Sequence, residues 1–163
     1  MGRLAAPIAL LAMLAHPAEA GCIDSPRAAV NWQRCNLPDL AAPGADLGDA
    51  ILREARLMHA DLTGANLTGA DARNARFVGA RLGKAVLDRM RASEADFTAA
   101  DLTGASLKAA DLRRAKLVGA RLTGADLTGA RLDEADLLHA KLGGATWTDG
   151  KTVCPKDAEG GCR

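Results

Sequence analysis

The sequence predicts an all-β solenoid whose chain turns a corner every five residues. From Ala45 to Asp149 it can be written as 21 consecutive five-residue repeats, and 20 of them begin with Ala. The third position is Leu in 16 repeats and Phe in two, so apolar side chains recur at two fixed places. The fifth position is Gly in eight repeats, and small residues of this kind favour turns.

Neither an α-helix nor a straight strand accommodates this period. A step of five residues turns an α-helix by about 140°, so Leu47, Leu52 and Leu57 would point in three directions and bury nothing together. Side chains of a straight strand alternate with period two, so the same step would send every second repeat to the opposite face. A chain that bends once per repeat keeps every Ala and Leu inward.

The A-(D/N)-L-x-x pattern resembles that of the pentapeptide-repeat proteins. The resemblance implies a right-handed quadrilateral β-helix with four repeats per coil, and therefore about five coils between residues 45 and 149. The Trp-x-x-Cys entry from Trp32 to Cys35 and the final ATWTDGKTVCPKDAEGGCR are similar to exported members of that family. We therefore expect residues 21–44 and 150–163 to cap the two ends.

The first twenty residues have the features of a cleaved signal peptide. Arg3 supplies a positive charge, a short apolar run follows, and Ala18-Glu19-Ala20 forms a small-x-small cleavage site. The apolar run is too short to cross a bilayer as a helix. We expect cleavage after Ala20, a periplasmic or secreted protein, and no membrane span.

Four cysteines flank the repeats and are expected to form two local disulfides. The pairs are Cys22 with Cys35 and Cys154 with Cys162, because the two ends of a rigid rod cannot meet. A zinc site is an alternative, but no His lies near either pair and there is no Cys-x-x-Cys. Lipidation of Cys22 is a second alternative to its disulfide.

Several exceptions to the repeat are expected to fill the core or cover its ends. Phe77 and Phe97 each follow a repeat in which Ala replaces Leu, and Met90 replaces an inward Ala. Such swaps roughly conserve core volume, although a ligand-admitting cavity is the alternative. Trp32 and Trp147 lie where the two caps should meet the solenoid.

The outward second positions predict ladders of alternating charge, such as Asp61, Arg81 and Asp101, which lie one coil apart. One set of fourth positions is different because it is mostly apolar. This candidate interaction row comprises Met58, Val78, Thr98, Val118 and Leu138. An apolar row of this kind is unusual on a wet surface and suggests a docking site for a partner.

The sequence favours a non-enzymatic, monomeric binding or scaffold module for an unknown protein or envelope surface. No catalytic, metal-binding or cofactor-binding constellation is apparent, and 21 basic residues nearly balance 20 acidic ones. The alternative implied by the family is a DNA mimic that inhibits a DNA-binding enzyme such as a topoisomerase. A mimic needs a dense negative surface, so the net charge of +1 and the signal peptide disfavour it, and no nucleic acid is expected as a partner.

Overall fold

The computed structural model describes residues 21–162, which form β-bridges and turns without a helix. The predicted signal peptide lies outside the described residues. From Asn31 to Thr146 every repeat contributes one bridge residue, and each parallel bridge joins residues twenty positions apart, as between Asn31 and Ile51. Backbone hydrogen bonds of about 2.7–3.1 Å link successive coils, for example from Leu52 N to Asp71 O at 2.7 Å. Within residues 21–162, no helix is long and apolar enough to span a bilayer.

The bridge residues stack into four sides, which we number in chain order. The first side contains Asn31, Ile51, Asp71, Arg91, Asp111 and Arg131. The second contains Asn36, Arg56, Arg76, Asp96, Lys116 and Asp136. The third contains Ala41, Asp61, Arg81, Asp101, Arg121 and Lys141, and the fourth Asp46, Asn66, Val86, Ser106, Asp126 and Thr146.

The solenoid has six bridge residues on each side, so it is one coil longer than the five coils expected from the sequence. The regular ladder begins at Asn31 rather than at Ala45, and most of the expected N-terminal cap is therefore a coil. Its repeats place Val30 and Cys35 inward where Ala normally stands, and Trp32 where Leu normally stands; all three are at most 1% exposed. Because these three residues are not Ala or Leu, the repeat pattern in the sequence did not include this coil.

The core is a column of small and branched apolar side chains. Every first-position and third-position residue from Ala50 to Leu127 is at most 1% exposed. Phe77 and Phe97 stack on one another in successive coils on the second side, while Ala72 and Ala92 stand at the corresponding inward positions of the first side. Met90 is buried with them.

The corners depend on a left-handed backbone conformation at the fifth position of each repeat. All fifth positions from Ala29 to Gly144 have positive φ, including fifteen residues other than glycine with φ between 54° and 60°. Such residues cost energy in this region, so the stacked coils must impose the conformation. The regular pattern ends at Asp149, where positive φ moves to Gly150 and the chain leaves the coil.

One disulfide lies at each end of the solenoid. The structure contains Cys22–Cys35 and Cys154–Cys162, the two pairs favoured by the sequence. Residues 150–162, called the tail below, reverse direction and form antiparallel bridges from Val153 to Thr146 and from Glu159 to Lys141. Trp147, expected to cover this end, is only partly buried.

Candidate interaction surface

The candidate interaction row lies along the corner that follows the second side. Met58, Val78, Thr98 and Val118 are half-buried, whereas Leu138 in the last coil is 58% exposed. The row is in register because the backbone N–H of each following residue donates to the carbonyl of the row residue one coil later, as from His59 N to Val78 O at 2.9 Å. The predicted residues therefore do form one line on the surface.

The adjoining fifth positions make the middle of this row flat and uncharged. Gly79, Ala99 and Gly119 occupy the corner beside Val78, Thr98 and Val118, so these three corner positions carry no long side chain of their own. We call these six residues the apolar strip. His59 borders it on one side, and its imidazole Nδ1 lies 2.6 Å from the place where a Cβ of residue 79 would stand.

Pro38 extends the row by one coil towards the N-terminus and was not anticipated. It holds the fourth position of the repeat Cys35 to Asp39, which is part of the solenoid, and it is exposed. The local sequence CNLPD carried the signal, since Leu37 stands at the usual third position. Pro38 was left out of the predicted row because the predicted repeats began only at Ala45.

Two arginines beside the row lack ion-pair partners. Arg56 and Arg76 lie directly opposite one another on the second side, and neither forms a salt bridge with another residue of the described chain. Like charges in directly opposed positions of a sheet repel each other. The sequence contained both arginines but could not show that no carboxylate would reach them.

A second like-charged pair shows how the fold compensates such repulsion elsewhere. Arg121 and Lys141 also lie opposite one another, on the third side. Arg121 pairs with Asp101 at 3.1 Å, and Lys141 pairs with Glu159 of the tail. Arg56 and Arg76 have no such ion-pair partner within the described residues, although Asp96 lies opposite Arg76 in the following coil.

Carboxylates on the first side are held by cations. Asp71, whose side chain is 6% exposed, accepts two hydrogen bonds of 2.8 Å from Arg73, and Arg53 and Arg91 lie within 3.5 Å and 3.4 Å of it. The hydrogen bonds from Arg73 lower the pKa of Asp71, against the opposing effect of burial. Asp111 has a lowered pKa for the same reason, because Arg113 donates to both of its oxygens.

The charge ladder expected on the third side is also present. Arg81 pairs with Asp61 at 3.4 Å, and Arg121 pairs with Asp101 as described above. The Thr63 hydroxyl donates to Asp61 and is the main cause of its lowered pKa. These carboxylates stay ionised at neutral pH beside their partners, so they are poor candidates for proton transfer. No cluster of three or more possible metal ligands occurs within residues 21–162.

Comparison with known proteins identifies the class of fold. A profile of pentapeptide repeats matches the chain in eight copies, over residues 44–79, 75–114 and 110–146. The chain belongs to the pentapeptide-repeat family. No curated protein sequence gives a significant match.

Solved structures agree with the family assignment. Trypsin-treated QnrB1, a plasmid-mediated fluoroquinolone resistance protein, is 19% identical with a TM-score of 0.54, and the match covers 71% of this chain but only 64% of QnrB1. At that identity the likeness shows the fold alone, a right-handed β-helix. Alr5209, a pentapeptide repeat protein from Nostoc Pcc 7120, is 38% identical over 50% of this chain and 67% of its own, with a TM-score of 0.49.

Proposed function

We propose that the protein is a non-enzymatic, exported binding module that docks an acidic protein partner on its second side. The observation that carries the proposal is the unpaired Arg56–Arg76 couple beside the flat apolar strip. Charges on the first and third sides are largely satisfied within the chain, so they have little to offer a partner. The second side combines two arginines that have no ion-pair partner in the described chain with accessible apolar area.

A protein surface fits this side better than acyl chains do. Val78, Thr98 and Val118 are half-buried, so they present a shallow apolar area without side chains that could insert into a lipid layer. Arginine is enriched at protein interfaces, where its planar guanidinium pairs with carboxylates. An acidic patch on the partner would relieve the repulsion between Arg56 and Arg76.

Export is supported by two independent features. The first twenty residues have the pattern of a signal peptide, and the structure contains two disulfides, which persist in oxidising compartments. An envelope or extracellular partner follows from this location.

The DNA-mimic alternative receives no support from the arrangement of charge. Duplex DNA presents one negative charge per about 1.7 Å of its axis. Here Arg81 and Arg121 alternate with the carboxylates of the third side and pair with Asp61 and Asp101. On the first side, Arg73 and Arg91 neutralise Asp71. These sides therefore lack the dense negative charge that mimicry of DNA needs.

The test is a cross-linking pull-down from the envelope fraction of the native host with the oxidised protein as bait. Two double variants are compared with the wild type: Arg56→Glu with Arg76→Glu, and Val78→Asp with Val118→Asp. A matched control changes Thr63→Asp and Thr103→Asp, which occupy the same fourth positions, equally spaced, on the third side. Thermal unfolding verifies that each variant is folded.

We expect both second-side variants to lose at least nine-tenths of the captured partner, whereas the control keeps it. The arginine variant alters exposed side chains only, so it stays informative if the half-buried valines do not tolerate Asp. Capture that is equal for the arginine variant and the wild type would overturn the proposal.

A further inference from the structure

A column of charged side chains runs parallel to the candidate interaction row. It consists of second positions on the second side, namely Arg56, Arg76, Asp96, Lys116 and Asp136. None of the five forms a salt bridge with another residue of the described chain. Each column residue precedes its row residue by two positions, so the two lines are about 7 Å apart. The second side thus presents a charged line and a mostly apolar line next to each other.

Both lines are long enough to hold an extended element of a partner. With Pro38 included, the row has one member in each of six coils, from Pro38 to Leu138. Successive coils are one strand spacing apart, so the row is about 24 Å long. This length corresponds to about 16 residues of an α-helix or about seven of a strand.

The backbone of the second side is already paired within the solenoid. Arg76 N donates to Ala55 O at 2.8 Å, and Arg76 O accepts from Leu57 N at 2.7 Å. The same pattern recurs at Asp96 in the next coil. A strand laid on this side would find no backbone partners, whereas a helix satisfies its own N–H and C=O groups internally. The side therefore favours a helical partner over the addition of a strand.

The spacing of the two lines matches one face of an α-helix. Helix residues three and four positions apart share a face, and each turn rises 5.4 Å. This rise is within about 0.6 Å of the coil spacing, so a helix lying along the solenoid axis places about one turn over each coil. Its diameter of about 10 Å is enough to touch both lines.

We propose that the partner binds the second side through an amphipathic α-helix laid along the solenoid axis, an inference that rests on the function proposed above. The apolar face of the helix packs on the row. A charged stripe beside that face complements the column, with acidic residues on two successive turns opposite Arg56 and Arg76. A basic, an acidic and a basic residue follow, opposite Asp96, Lys116 and Asp136.

The order of charges also fixes the direction of the helix. Two adjacent cations occur at only one end of the column, at Arg56 and Arg76. Reversal of the complementary helix would bring a basic residue to Arg56 and an acidic residue to Asp136. Like charges placed together across an interface disfavour the wrong arrangement. The column therefore selects one orientation of the partner.

Photo-cross-linking in the native host tests this geometry. A benzophenone amino acid replaces His59 in one variant and Leu138 in another, and both residues are exposed. They lie on the same corner, four coils or about 19 Å apart. The matched control places the same amino acid at Lys84, which is exposed on the corner that follows the third side. Thermal unfolding verifies that each variant is folded, and mass spectrometry identifies the partner residue joined at each site.

We expect the partner residues joined to positions 59 and 138 to lie about 13 residues apart in one segment, because a helix rises 1.5 Å per residue. Two acidic residues three or four positions apart should lie within about one turn of the residue joined to position 59. The control at position 84 should give no link.

A separation of about six residues would indicate an extended segment and overturn the helix. Links to two segments distant in the partner's sequence would also overturn it, as would the absence of the acidic pair. In each of these cases the second side still binds a partner, so the proposed function survives. Arg56→Glu with Arg76→Glu should reduce both links at least tenfold. Unchanged links in that variant, or no link at either position, would overturn the proposed function and the helix together.

Discussion

The rings of Phe77 and Phe97 lie parallel in successive coils, with 4.9 Å between their centroids and an interplanar angle of 4°. Both rings are fully buried. Each enlarged third position is matched by a reduced one, since Ala72 and Ala92 occupy the preceding repeats. The enlarged and reduced positions therefore form two adjacent columns inside the solenoid.

The volume balance predicts strong coupling between Ala72 and Phe77. Ala72→Leu alone overpacks the coil and should cost about 1–3 kcal/mol. Phe77→Leu alone removes part of the stack and should cost about 1 kcal/mol or more. The double variant restores the common repeat, so urea unfolding should show that it is at least about 1 kcal/mol more stable than the sum of the single effects. Strict additivity would mean that the two positions do not compensate each other.

Asp71 should contribute more to stability than any other second-position carboxylate. Asp71→Asn weakens the contacts to Arg53, Arg73 and Arg91, and we expect a loss of about 1–2 kcal/mol after allowance for the partial exposure of the arginines. The control Asp136→Asn, at an exposed second position without a salt bridge, should change the unfolding free energy by less than about 0.5 kcal/mol. Equal losses in the two variants would contradict the importance of the arginine cluster.

Stability should decline in acid because the folded state lowers the pKa of several carboxyls. Asp71 and Asp111 both have a pKa below the ordinary value of 3.8. A lowered folded pKa gives stability that is complete above the unfolded value and is lost as pH falls through the folded value. Urea midpoints should therefore be level near neutral pH and fall below about pH 4. The urea midpoint of Asp71→Asn should fall less steeply with decreasing pH than that of the wild type. Identical slopes in the two proteins would mean that the lowered pKa of Asp71 does not cause the loss of stability in acid.

Gly143 should be essential for docking of the tail. A Cβ at this position would collide with the Lys156 carbonyl oxygen, whereas a Cβ at Gly83, the same position three coils earlier, has Thr103 O as its nearest neighbour at 3.8 Å. Gly143→Ala should accelerate exchange of the Leu142 amide, which donates to Ala158 O, by at least tenfold. Gly83→Ala should leave that exchange rate unchanged.

The five-residue period was sufficient to predict the inward residues, and the family resemblance supplied the four repeats per coil. Ala50 to Leu127 follow the inward prediction at every first and third position. The first coil was missed because Val30, Trp32 and Cys35 occupy the inward positions where the other repeats have Ala and Leu. The reversal of the tail was missed because nothing in residues 150–162 indicates that they form antiparallel bridges to Thr146 and Lys141.

The ion pairs on the surface could be predicted only in part, because long side chains reach beyond their nearest neighbours. Second positions alone indicated the ladder from Asp71 to Arg91, but the tightest contact to Asp71 comes from Arg73, two residues later in the same repeat. Arg53 approaches from the previous coil. A long flexible arginine side chain can reach several carboxylates, and the packing at the corners determines with which of them it forms an ion pair. The isolation of Arg56 and Arg76 could therefore be recognised only in three dimensions.

Every parallel bridge joins residues twenty positions apart, so each coil of twenty residues is one layer of the solenoid. The length of the molecule can therefore change by whole layers. Excision of residues 110–129 would join Ala109 directly to Ala130 and leave every remaining side chain on its original side. Loss of only five residues would instead rotate everything downstream by a quarter turn. Duplication or deletion of single layers can therefore change the reach of the molecule while its cross-section stays constant.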